Sequence, residues 1–462
     1  MTSLLIRNVE VEGRAGLDVR VRSGLIMEIG AGLGAGRGDE IDGRGGALIP
    51  GLADHHIHLF ALAAQDGSIT LAGVGSAREF GSRVAVALQG RPAGSWLRVT
   101  GYHEAMAGDL GRDILDAIAP HHPLRVQHQT GSLWVLNSLA LEAVGAEAAT
   151  ASCIERDAAG RTTGRIWRGD AWLRSRLADA PPSLEAVGRQ LASFGITAVT
   201  DASVTTDANA AGRLAAAVRS GEIPQRLRLM SGGALEAPAD GAFEVGPVKV
   251  LLDDHDLPPL DEFIAWIGRA RTWFRPVAVH CVTAAELAVT LAAFEAARAL
   301  PGDRIEHGGV IPAEAIPVIR ELGLTVVTQP AFVAERGDRY LSEVDPAEQT
   351  DLYRCATLRA AGVPVAASSD APYASPDPWQ GIAAAVSRRT EAGQRLGETE
   401  QVSAADALSM YLGGPASPGG RSRRVMVGEP ADLCLLTAPL RDVLAAPSAD
   451  FVAATLVGGL RV

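Results

Sequence analysis

Short apolar runs that skip every second position open the chain. Leu4, Ile6, Val9 and Val11 are followed by Leu17, Val19 and Val21 and then by Leu25, Ile26 and Ile29, with glycines and charged residues between them. A period of two belongs to a strand with one buried face, so residues 3–50 read as a small antiparallel sheet. Similar runs at 431–436 and 452–457 lie near the other end. The pattern predicts one discontinuous β-sandwich domain, built from 1–50 together with about 416–462.

From about residue 190 strand-like apolar runs alternate with helical ones, the signature of parallel βαβ units. The predicted strands are 196–200, 227–230, 248–252, 277–280, 304–307, 325–328 and 363–367, with helical patterns such as 283–299 and 313–322 between several of them. A further strand around His56 brings the number to eight. The fold class is therefore α/β, a (β/α)8 TIM-type barrel over 51–415, and functional side chains are expected at the C-terminal strand ends. Residues 60–190 break the rhythm with helical stretches and strand-like pieces at 124–128 and 134–137; they read as an insertion after the first barrel strand, able to serve as a lid.

Composition narrows the class. Hydrophobic residues make up 47% of the 462 and charged residues 21%, a globular balance. With a net charge of −12 and no basic cluster beyond Arg421, Arg423 and Arg424, nucleic acid is not an expected partner. No apolar run reaches membrane-spanning length, and the start lacks the pattern of a signal peptide, so a cytoplasmic enzyme acting on a small molecule is expected, with a homo-oligomer left open. Cys153, Cys281, Cys355 and Cys434 form no Cys-x-x-Cys pair, so neither a zinc knuckle nor a disulfide framework is indicated.

The chemistry gathers at the predicted strand ends. Pro50-Gly51-Leu52-Ala53-Asp54-His55-His56-Ile57-His58 holds three of the ten histidines, and in an extended segment His56 and His58 share one face. Lys249, His280, His307 and Asp370 follow in or just after later strands. Of the 42 Lys and Arg residues only Lys249 is lysine; a buried lysine can become a neutral amine, which arginine cannot. Imidazole and carboxylate suit Zn²⁺ and related divalent ions. A neutral lysine amine that takes up carbon dioxide becomes a carbamate able to bridge two cations, and two such ions suit hydrolysis of an amide.

These residues resemble the metal-dependent amidohydrolase superfamily: Pro50-Gly51-Leu52-Ala53-Asp54 leading into His56-x-His58, then Lys249, His280, His307 and Asp370. The inserted segment and Pro247-Val248-Lys249-Val250-Leu251-Leu252-Asp253 look like its N-substituted formamide deformylase-like branch. The resemblance implies one or two divalent metals, most often zinc, and hydrolysis of an amide, formamide or cyclic amide C–N bond by a metal-activated hydroxide. His56 and His58 would hold the more buried metal, carbamylated Lys249 would bridge, His280 and His307 would bind the second, and Asp370 would touch the metal-bound water and act as general acid and base. Ser132 stands where this branch often carries His, and Asp253-Asp254-His255-Asp256 replaces its usual glycine-containing loop. His128, Trp134, His255 and Gln329 are candidate substrate contacts, with Trp167 and Arg168 as further pocket walls. The competing readings are a deaminase, lyase or isomerase on the same scaffold, against which the lysine speaks, and a metal-stabilised binding protein, against which an acid on the metal rim speaks.

Overall fold

A computed structural model of the chain describes residues 3–35, 38–65, 68–71, 74–177 and 182–462. They form two compact units, Met1–Leu59 with Ser183–Val462, and Phe60–Pro182.

The larger unit contains a parallel sheet of eight strands in chain order: Leu52–Ile57, Ile196–Asp201, Arg226–Ser231, Glu244–Val250, Val277–Cys281, Arg304–His307, Thr325–Thr328 and Val365–Ala367. Each pairs with the next, as in His280 opposite Glu306 and Lys249 opposite Ala278. The eighth strand returns to the first: the Asp370 amide donates to the His56 carbonyl and the His58 amide to the Ala371 carbonyl, both at 2.8 Å. The sheet is thus a nearly closed TIM-type barrel. Its strands are buried nearly throughout because helices cover their outer face while the barrel core fills the inner one. The fourth strand starts at Glu244, ahead of the apolar run at 248, because its ladder extends through an exposed stretch where Glu244 pairs with Arg228 at 3.2 Å.

Helices between the strands begin where side chains satisfy free backbone amides. Thr283 and Glu286 form a reciprocal capping box for Ala284–Ala297, and Asp207 caps Ala208–Ser220, which ends on Gly221 at φ +81°. Gly51 is needed at the entry to the first strand, since a Cβ there would stand 2.1 Å from the Thr197 side chain.

The chain ends form two four-stranded sheets. One comprises Ser3–Val11, Arg14–Arg22, Leu25–Gly30 and Asp39–Asp42; in the other, Leu48–Pro50 pairs with Leu433–Leu436, which is followed by Val452–Val457 and Leu460–Arg461. Leu4, Ile6, Val19 and Ile26 share one apolar cluster with Leu433, Leu435 and Leu456. Removing either end would leave the other with an uncovered face.

The inserted unit is richer in strands than its sequence pattern indicates. Six strands form one sheet, among them Leu97–Tyr102, Leu124–His128, Leu133–Leu136 and Thr162–Trp167, over a core containing Val99, Leu115, Val126 and Val135. Its strands, such as Ser68–Thr70 and Ile154–Arg156, do not alternate one for one with helices, so no repeating pattern marks them. The unit ends at Pro182 rather than near 190, because helix Glu185–Ser193 buries Val187 and Leu191 in the larger unit and leads directly into the second barrel strand.

Candidate metal centre

At the C-terminal ends of the barrel strands the structure brings together His56, His58, Lys249, His280, His307 and Asp370. Adjacent imidazole centroids lie 5.4 Å apart for His56 and His58, 4.8 Å for His56 and His307 and 4.5 Å for His307 and His280. Asp370 Oδ1 is 3.2 Å from His58 Nε2 and 3.4 Å from His56 Nε2. His56, Lys249, His307 and Asp370 are buried, and His58 and His280 half-buried.

Two of these side chains sit on strained backbone. His307 has φ +71° and Asp370 φ +55°, a region that costs a non-glycine residue about 1–3 kcal/mol and persists only where the surroundings impose it. Asp54 supplies part of that imposition: its carboxylate accepts hydrogen bonds from the Ser369 amide at 3.1 Å, the His56 amide at 3.2 Å and the Ser369 hydroxyl. It joins the first strand to the turn that carries Asp370. Burial raises the Asp54 pKa to about 6 even though those donors favour its ionised form.

Three of the candidate histidines are held from behind. His56 Nδ1 meets Glu306, and because a carboxylate only accepts, that nitrogen carries the proton and Nε2 presents its lone pair toward Asp370. His307 Nδ1 lies 2.9 Å from Gln329 Oε1; the amide is oriented by the 2.9 Å bond from its Nε2 to Ser368 Oγ, so His307 Nδ1 donates and its Nε2 is the unprotonated nitrogen. The Ser203 hydroxyl holds His58 Nδ1 at 3.1 Å. Burial, with Lys249 the next cause, holds His56 well below the ordinary histidine pKa, and burial lowers His307 as well. Burial pushes Asp370 up, but His56, His58 and His307 outweigh it and keep its carboxyl below the usual range. Burial favours neutral rings at His56 and His307 beside the carboxylate of Asp370.

That set fits a divalent cation. Asp370 Oδ1 is buried and makes no hydrogen bond although imidazole nitrogens approach it, the arrangement expected where lone pairs converge without a proton to share. His56, His58 and Asp370 each offer one ligand atom, all within 4.8 Å of one another. Lys249 Nζ is also buried without a partner, and burial lowers its pKa to about 8 against the opposing pull of Glu306 and Asp370. At pH 7 about one tenth of the amine is then neutral, far more than for an exposed lysine.

The four candidate substrate contacts behave differently. Gln329 is fully buried behind His307, with both ends of its amide engaged. His255 is exposed on the loop after the fourth strand. His128 and Trp134 belong to the Phe60–Pro182 unit, where His128 Nε2 lies 3.1 Å from Glu104 and the Trp134 indole donates to Asp170 at 2.9 Å. In that unit Trp167 donates to Glu155, and His122 is buried with Nδ1 3.2 Å from the Ser95 carbonyl. Sequence reasoning passed over Asp54, Ser203, Arg304 and Glu306 as functional residues. Arg304 and Glu306 had a usable signal, two opposite charges two apart in a predicted strand and hence on one face.

An eight-stranded barrel with such a cluster at its C-terminal rim defines a hydrolase scaffold of the metal-dependent type. The amidohydrolase family profile matches residues 39–462, and the chain belongs to that family; it is an enzyme, an amidohydrolase. The N-substituted formamide deformylase of Arthrobacter pascens is 25% identical over 93% of this chain and 92% of its own. The amidohydrolase YtcJ of Bacillus subtilis is 24% identical over 82% of this chain and 81% of its own. Among solved structures, an uncharacterized metal-dependent hydrolase from Pyrococcus furiosus superposes with a TM-score of 0.69 at 22% identity, covering 93% of this chain and 98% of that one. N-isopropylammelide isopropylaminohydrolase from Burkholderia multivorans gives 0.55 at 18% identity, covering 100% and 98%. These two likenesses are of fold. Among the described residues no helix is long and apolar enough to cross a membrane.

Proposed function

We propose that the enzyme hydrolyses the C–N bond of a small N-substituted amide, with N-substituted formamides as the first substrates to try. The observation that carries this reading is Lys249: the chain's only lysine stands buried and unpaired among four histidines and an aspartate. Its neutral amine would attack carbon dioxide, forming an N–C bond and losing one proton, and the resulting carbamate would join His56, His58, His280 and His307 in holding one or two ions, zinc being the leading candidate. When bound, such an ion acidifies water and polarises a carbonyl oxygen. Asp370, with one oxygen toward His56 and His58 and the other 3.9 Å from His307 Nδ1, takes the proton of the attacking water and returns it to the departing nitrogen. Water adds to the carbonyl carbon, the C–N bond breaks, and a carboxylic acid and an amine leave. The name of the A. pascens relative supports trying formamides first.

The test is turnover by purified protein supplied with Zn²⁺ and bicarbonate, offered N-alkyl and N-aryl formamides, cyclic amides and amino-substituted heterocycles. Release of formate or another carboxylic acid with matching amine is expected. Ammonia from the heterocycles with every amide left intact would replace this reading with a deaminase.

A further inference from the structure

Inside the barrel, below the imidazoles, lies an ion pair that the proposed chemistry does not use. Arg304 and Glu306 are both buried, at 2% and 0% exposure, in a space that side chains such as Val, Ile and Leu usually fill. Arg304 Nε donates to Glu306 Oε1, and Glu306 Oε2 accepts from His56 Nδ1. The far end of the guanidinium donates to the His55 carbonyl at 3.1 Å. The pair thus reaches from the sixth strand across the interior to the first, gripping both the ring of His56 and the backbone beside it. Burying two charges costs several kcal/mol each before their attraction is counted, and a well-packed apolar pair would serve stability equally or better. The reason for the charges is therefore sought at their outer end, on His56.

We propose that Glu306, braced by Arg304, is a positioning residue that fixes His56 in the Nδ1–H tautomer with Nε2 toward Asp370, and thereby sets how tightly the site holds a divalent cation. This rests on the reading of the barrel mouth as a metal centre. An acceptor-only carboxylate admits one tautomer and opposes rotation of the ring, whereas a hydroxyl or water would admit both.

The experiment compares wild type, Glu306→Gln and the doubly apolar Arg304→Met with Glu306→Leu, all prepared metal-free. Zn²⁺ affinity is read by competition with a chelator, stability by thermal unfolding, and the His56 tautomer by ¹⁵N chemical shifts of selectively labelled histidine. The doubly apolar protein should fold with a melting temperature at or above wild type. It should bind Zn²⁺ about 10–100-fold more weakly, the usual effect of losing an outer partner of a ligand, and its His56 should show mixed tautomers. Glu306→Gln offers one acceptor to two donors; with its carbonyl taken by Arg304 its NH2 faces His56 Nδ1, so the Nδ1–H tautomer should be lost and affinity lowered about tenfold. Wild-type affinity in the folded double variant, or in Glu306→Gln should the double variant not fold, overturns the proposal, as does an Nε2–H tautomer in wild type. Failure of wild type to bind Zn²⁺ at all would instead overturn the metal-centre reading.

Discussion

Among the described residues two clusters place histidines and a carboxylate within ligand distance: His56, His58 and Asp370 in the barrel, and His103, Glu104 and His128 in the Phe60–Pro182 unit. Their separations are similar, but their protons are not. In the barrel, His56 Nδ1–H donates to Glu306, leaving Nε2 as a lone pair. In the second cluster the backbone amide of Ala105 donates to His103 Nδ1 at 3.1 Å and that of Thr130 to His128 Nδ1 at 3.2 Å. Those nitrogens are acceptors, so in the neutral rings the proton sits on Nε2, where His128 donates it to Glu104 at 3.1 Å. A cation would have to displace that proton, and Nδ1 could not take it up without losing its backbone bond. Residue type and distance therefore do not suffice to define a metal centre; the outer partner that decides the tautomer is part of it.

The comparison can be broken most forcefully at the barrel ligands. His56→Ala and Lys249→Arg should each abolish turnover, with His56→Ala losing tightly held metal and Lys249→Arg losing the capacity for two ions; metal analysis showing two ions per chain and normal turnover in Lys249→Arg would defeat the carbamate. Asp370→Asn should keep metal yet lower kcat by about two to four orders of magnitude, the range of a general acid–base group. Near-normal kcat there would remove Asp370 from the proton path. An intermediate effect belongs to Gln329→Leu, which deprives His307 of its acceptor and should weaken Zn²⁺ about tenfold by chelator competition.

A smaller effect tests the neutral histidine behind the site. His55 is fully buried with neither ring nitrogen hydrogen-bonded, and burial lowers its pKa to about 3 from a model-peptide value of about 6.5. The unfolded chain binds the proton more readily, so the stability His55 permits is complete above pH ~6.5 and is lost as pH falls toward 3. In metal-free protein the melting temperature of wild type should drop further between pH 7.5 and 5 than that of His55→Leu; parallel drops would place the proton elsewhere. The smallest effect is expected in the second cluster, where His103→Gln with His128→Gln should leave Zn²⁺ stoichiometry unchanged, and one ion fewer per chain would show that the tautomer argument fails.

The apolar pattern located seven of the eight barrel strands and the segment around His56 supplied the first, because a parallel strand covered on both faces carries apolar residues that set it off from the helices between. Residue chemistry alone marked His56, His58, Lys249, His280, His307 and Asp370, since a histidine or a lone lysine at the end of such a run has few structural uses. The inserted sheet was not legible to the same degree, as its strands lack the regular alternation with helices that marks the barrel. Nor were Glu306, Ser203 and the orienting role of Gln329: each acts on a histidine distant in sequence, 250 residues away for Glu306 and His56. Which nitrogen of a ring bears the proton is fixed by whatever lies behind it in space, and only the closed barrel puts the sixth strand behind the first.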